Sequence, residues 1–198
     1  KDLVEYDLAI EFMNSHIDKM KKNSAKEMLW FLEHNSIFTA GTNYKEKEIN
    51  DKSIKIFKTN RGGKITWHGP GQIICYMVIN LNKRKKDIRR FILAIEKSVI
   101  NTLDELNIKS FNDRENIGIW INHNNEIKKV AAIGIRVKKW IAFHGFSINY
   151  SNNLKEYKKI VPCGINNRGI INISNIKKVS KRKILKILKK NLLINLDY

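Results

Sequence analysis

The 198-residue sequence holds two cysteines in opposite surroundings. Cys75 lies inside an apolar run, whereas Cys163 stands between Pro162 and Gly164. That turn is rigid and sharp, so it displays a thiol where a nucleophile would be put. A free cysteine is equally at home as a small buried hydrophobe, and the turn alone leaves both readings open. Lys129 heads the run Val130-Ala131-Ala132-Ile133-Gly134-Ile135, whose small residues let backbone lie against a ligand. The plain alternative for a lysine at a strand start is solvated surface. His144-Gly145 repeats the pairing of His68-Gly69, although a histidine in an apolar strand also serves as an ordinary structural residue.

The densest group of polar and aromatic handles is Arg61, Lys64, Thr66, Trp67, His68 and Gln72, interleaved with Gly62, Gly63, Gly69, Gly71 and Pro70. Glycine admits close backbone approach because no side chain intervenes. The stretch from Arg61 to Leu81 therefore reads as a tight irregular loop feeding a buried strand, and as one wall of a binding site. Its bland counterpart is a glycine-rich hairpin corner.

The elements that must position these residues follow from periodicity. Leu3, Val4, Tyr6, Leu8, Ile10, Phe12, Met13, Ile17 and Met20 recur at helical spacing. Residues 27–34 and 54–58 have strand length, a turn centres on Gly41, and Gln72 to Leu81 is a buried strand. From Ile88 to Leu106 the helical period is the clearest in the chain. Three runs, Ile117–Ile121, Ile127–Val137 and Trp140–Tyr150, are separated by polar turns and read as a meander of antiparallel strands. After a short polar segment, Leu154 to Ile160, the tail is an amphipathic helix with Ser180 as its N-cap. Strands and helices fall in blocks, so the expected class is α+β, a single domain over residues 1–198 with a mostly antiparallel sheet flanked by helices.

With 42% hydrophobic residues the chain can bury a real core, and no apolar run is long enough to span a bilayer. The acids mixed into residues 1–14 are not what a secretory signal is expected to contain. Two cysteines make no disulfide framework and suggest free thiols in a reducing, cytoplasmic compartment. No histidine and cysteine spacing suggests a metal site. The 38 basic and 19 acidic residues leave a net charge of +19, which favours anionic partners. The lysines are spread end to end without arginine-and-aromatic clustering, so an acidic protein fits at least as well as nucleic acid.

Taken in order, RGGKITWHGPGQ at 61–72, KVAAIGIRV at 129–137, FHGFSIN at 143–149 and PCGI at 162–165 resemble the lipoyl(octanoyl) transferases of the biotin and lipoate protein ligase superfamily. WFLEHNSIFTAG at 30–41 and NDRENIGIWI at 112–121 extend the resemblance over nearly the whole chain. It departs at Trp67, where tyrosine is common, and at Ala131-Ala132, where the family often has other small residues.

The resemblance implies a biotin/lipoate protein ligase-like fold and transfer of an octanoyl group, without ATP or cofactor, from acyl carrier protein to a lysine of a lipoyl domain. It carries the role of acyl-forming nucleophile onto Cys163, and onto Lys129 that of the neighbouring cation that favours the thiolate and could relay the acceptor lysine's proton. It carries the acyl pocket onto Arg61, Gly62, Gly63, Lys64, Ile65, Thr66, Trp67 and His68, onto Ala132, Ile133 and Gly134, and onto Gly145, Phe146 and Ser147. The implied acceptors are lipoyl domains of 2-oxoacid dehydrogenase complexes, with glycine cleavage H protein as a further candidate. Two rival readings are an ATP-dependent lipoate-protein ligase and a basic nucleic-acid-binding protein, which would leave Cys163 and Lys129 without a purpose.

Overall fold

The computed structural model describes residues 3–161 and 168–197. The chain opens with helix α1 (Tyr6–Lys21), whose buried residues Tyr6, Ala9, Met13, Ile17 and Met20 recur every three or four positions. Leu3 and Val4 precede the helix instead of belonging to its apolar face: the Val4 N–H donates to Glu33 O at 2.8 Å. Leu8 and Phe12 point outward, Phe12 resting edge-on against Trp30.

Strands β1 (Met28–Leu32), β2 (Ile37–Ala40), β3 (Ile56–Lys58), β4 (Ile65–His68) and β5 (Gln72–Asn80) follow. The glycine-rich stretch is thus not irregular throughout. Ile65 to His68 pairs with β2 from Ala40 to Ile37, and only its flanks turn. Helix α2 (Ile88–Asp104) starts at Asp87, whose side chain accepts from Arg90 N at 3.0 Å. Then come β6 (Phe111–Asn112), β7 (Ile119–His123), β8 (Glu126–Lys138), β9 (Ile141–Asn149), β10 (Gly169–Ile170) and α3 (Lys181–Leu196), the last capped by Ser180. The polar segment from Leu154 to Lys159 forms a 3-10 helix.

The main sheet runs β1-β5-β9-β8-β7-β6, antiparallel at each of these junctions, with β10 parallel to β8 at Lys128 and Lys129. A smaller sheet, β3-β2-β4, stands apart. The expected meander is present as β7, β8 and β9. Its two hairpins turn on Asn124-Asn125 and Lys139-Trp140, all with φ between 50° and 61°. Two-residue hairpins of this hand need positive φ at both central positions, which is why Trp140 belongs to the turn and not to the strand.

Alternation along β5 divides the core. Ile73, Cys75, Met77 and Ile79 face α2 and α3, meeting Phe91, Ile95 and Leu188, while Ile74, Tyr76 and Val78 face α1. Full burial of each such aliphatic side chain contributes about 1.5–3 kcal/mol, so β5 is secured from both sides. Strand β8 is treated differently along its length. Glu126 to Ala131 pairs with β7, but from Ala132 onward the described partner is β9 alone.

Candidate active site

A cavity of about 420 Å³ opens where β7 parts from β8. Its floor comes from paired residues of β8 and β9: Ala132 faces Ser147, Ile133 faces Phe146, and Gly134 faces Gly145. Arg61, Gly62, Gly63, Lys64, Ile65, Thr66 and His68 form the wall opposite, and Ile88 and Ile92 of α2 close it from the side. Main chain meets main chain here. A Cβ on Gly62 would lie 2.6 Å from Ile135 O, one on Gly134 3.2 Å from Gly62 O, and one on Gly145 1.9 Å from Cys75 O. Larger residues at Gly62 and Gly145 would collide with backbone, so these glycines are required by the close approach.

The structure brings the sequence-derived pocket residues together with one exception. Trp67 is on the other face of β4, 1% exposed, packed in the cluster of Phe38, Tyr157 and Ile160. Its Nε1 donates to Ser36 Oγ at 2.9 Å. Strand alternation separates it from its neighbours Thr66 and His68, which line the cavity.

Lys129 also lines the cavity, and it is buried, only 6% exposed. Its Nζ donates to Ile117 O at 3.1 Å and lies 4.5 Å from the centre of the Trp120 ring. Gly118, at φ 138°, makes room: a Cβ there would stand 3.2 Å from Lys129 Nζ. Arg168 lies over the same Trp120 ring and pairs with Asp113 at 2.5 Å. That guanidinium, together with donors from Asn116 and Glu115, holds the Asp113 carboxyl well below the usual carboxylate range. Cys163, with Pro162 and Gly164, lies outside the described residues.

Several lining residues escaped sequence reasoning. Tyr6 and Tyr76 come from α1 and β5. The Tyr6 hydroxyl bonds with Thr59 and Tyr76, and Tyr76 OH lies 2.9 Å from His34 Nε2. Burial raises both phenols and lowers His34. Asn116 and Ile117 enter from the loop before β7, and Ile88 and Ile92 belong to a helix face that looked committed to the sheet. Nothing in the local pattern marks them.

Arg61 is 9% exposed and donates through Nη2 to Thr39 O at 2.7 Å and Thr39 Oγ1 at 3.0 Å. Burial, then the Arg61 charge, brings the pKa of His68 and of His144 down to about 3. Both imidazoles are therefore neutral at ordinary pH. Cys75, sealed in the core, has its thiol pushed up by burial and is unfit as a nucleophile. No group of acidic, histidine or cysteine side chains that could hold a metal ion occurs among the described residues, and none of their helices is long and apolar enough to cross a membrane.

The cavity is largely apolar along its β8–β9 floor, with Arg61 and Lys64 in its wall and the buried Lys129 at one side. Comparison with known proteins identifies the family. Residues 5–192 match the family model of the lipoyl protein ligase A/B catalytic domain. The octanoyltransferase of Wolbachia pipientis wMel is 42% identical over 190 residues, covering 95% of this chain and 93% of the relative. That of Bartonella tribocorum is 42% identical over 184 residues, covering 88% and 75%. Among solved structures, the bipartite lipoate protein ligase of Thermoplasma acidophilum superposes with a TM-score of 0.75 at 15% identity, over 98% of this chain and 82% of that one, and so shares the fold. The chain belongs to the lipoyl protein ligase A/B catalytic domain family.

Proposed function

We propose that this chain is an octanoyltransferase of protein lipoylation, its residues 1–198 forming one catalytic domain that works in the cytoplasm without cofactor or ATP. The donor is octanoyl-acyl carrier protein. The acceptors are lipoyl domains of 2-oxoacid dehydrogenase complexes, with glycine cleavage H protein a further one. The observation that carries this reading is the burial of Lys129 beside an apolar cavity floored by glycine and alanine. The naming of its relatives as octanoyltransferases supports it.

In the proposed sequence, the Cys163 thiolate attacks the carbonyl carbon of the donor thioester. The tetrahedral adduct collapses, the carbon–sulfur bond to the carrier arm breaks, and the arm leaves as a thiol once protonated. The acceptor lysine, having lost a proton, then attacks the enzyme thioester, and the Cys163 sulfur leaves with the amide formed. Lys129 is the group that takes and returns these protons, a role typically worth about 10²–10⁴-fold in rate. Main-chain amides of β8 and β9 would stabilise the oxyanion, at about 2.7–4 kcal/mol for each donor.

Intact-protein mass spectrometry after mixing the chain with octanoyl-acyl carrier protein, in the absence of ATP, tests the proposal. The expected result is one added octanoyl group, mapped to Cys163 and discharged by lipoyl domain. Transfer only from free octanoate and ATP would replace it with the ligase reading. Salt-sensitive binding of nucleic acid with no acyl chemistry would replace it with the binder.

A further inference from the structure

Among the described residues, eight non-glycine residues have positive φ, and seven of them stand in turns or loops. The eighth is His144, at φ 66° inside β9. A non-glycine residue in this region is held there by its surroundings, and such residues cluster at functional sites. His144 gives its backbone N–H to the Met13 thioether at 3.3 Å, a weak acceptor. Its successor Gly145 adopts a backbone that leaves no room for a side chain beneath the Cys75 carbonyl. Both residues line the cavity.

What the His144 backbone accomplishes is visible at the ring. His144 Nε2 lies 2.6 Å from Asn60 Oδ1, while the Asn60 carbonyl accepts from Arg136 Nη1 at 2.9 Å. Asn60 immediately precedes Arg61, Gly62 and Gly63, the cavity wall that takes the place of a strand along the open side of β8. The ring is 2% exposed, and its Nδ1 has no partner among the described residues. Burial together with the charges of Arg61 and Arg136 keeps it neutral. With Asn60 Oδ1 accepting, Nε2 carries the single ring proton. The imidazole has one directed bond, and it points at the wall.

We propose that His144 is a positioning residue that, through its bond to Asn60, sets the distance between the Arg61–Gly63 wall and the β8–β9 floor, and thereby the acyl chain the cavity accepts. This rests on the octanoyl-transfer reading. The consequence is specificity by gauge: chains that fit the fixed gap bind, and longer ones meet a wall that does not retreat.

The test uses the full chain, lipoyl domain as acceptor, and octanoyl-, decanoyl- and dodecanoyl-pantetheine as donors. His144→Gly permits the same φ but lacks the ring; Asn60→Ala keeps the ring but lacks its acceptor. Each is expected to raise KM for the octanoyl donor about fivefold, the equivalent of one lost hydrogen bond, with kcat little changed, and to relax the preference for octanoyl over dodecanoyl. The double variant should be no worse than either single one, and Asn60→Asp, which retains an acceptor, should keep the wild-type profile. Unchanged chain-length profiles in both single variants would overturn the inference, as would additive effects in the double variant. The wild-type chain run in parallel separates the two readings, since absence of its own transfer would count against octanoyl transfer itself.

Discussion

The two halves of β8 are built from similar residues and end in different states. From Lys129 to Ala131 the strand is buried, flanked by β7 and packed against Trp120 and the main core. From Ala132 to Val137 it is only half-buried, paired with β9 and otherwise bordering the cavity. Strand β9, paired with the same residues, is buried throughout. The site is therefore made by withdrawing one neighbour from one strand, with the turn at Arg61–Gly63 approaching instead. This places a deeply buried lysine directly beside a stretch of open edge. On the proposed function, chemistry and acyl binding would divide along a single strand.

The largest effect should come from the sealed half. Lys129→Ala is expected to lower transfer by about 10²–10⁴-fold while thermal unfolding changes little, because Gly118 and Trp120 still pack the surroundings; rates and melting temperature measured together check this. Near-wild-type turnover would mean the buried ammonium belongs to the scaffold alone. The open half should answer differently. Gly62→Ala brings a Cβ to 2.6 Å from Ile135 O, so the wall must shift from the strand at about 1–3 kcal/mol. Its expected signature is a raised KM for octanoyl donor with less change in kcat, and a wild-type KM would show that the wall is free to move.

A smaller, graded effect is expected from pH. His68 and His144 take a proton in the folded chain only near pH 3, against about 6.5 when unfolded. Between those values the unfolded state binds more protons, so stability is complete above about pH 6.5. It is lost on acidification, by up to about 1.4 kcal/mol per pH unit for each ring. Denaturant titrations from pH 7.5 to 5 should show this slope, and His68→Gln should reduce it. The least effect belongs to Trp67→Phe. Losing the bond to Ser36 costs about 1 kcal/mol of stability, and because Trp67 faces away from the cavity, KM and kcat should stay as they were.

Much of this architecture is legible in the chain. The period from Ile88 onward, the Ser180 cap and the polar turns of the β7–β8–β9 meander rest on local chemistry: side-chain spacing, capping oxygens and turn residues act within a few positions of themselves. Glycines at 62, 63, 134 and 145 likewise announce a close approach of backbone. Partners and directions were not legible. Thr66, Trp67 and His68 look alike as handles, yet pairing of β4 with β2 decides which of them meet the cavity. Alternation reveals a period and not which face is which. The residues around Lys129 in the sequence leave it open between solvated surface and a ligand-side position, and its burial appears only when Ile117, Trp120 and Gly118 are brought around it. Tyr6, Tyr76 and His144 lie far apart in sequence and acquire a common purpose only where α1, β5 and β9 converge. Local sequence determined the elements and the glycines that permit contact. The tertiary structure alone decided which faces met, because burial and hydrogen bonding between distant segments are properties of the assembled fold.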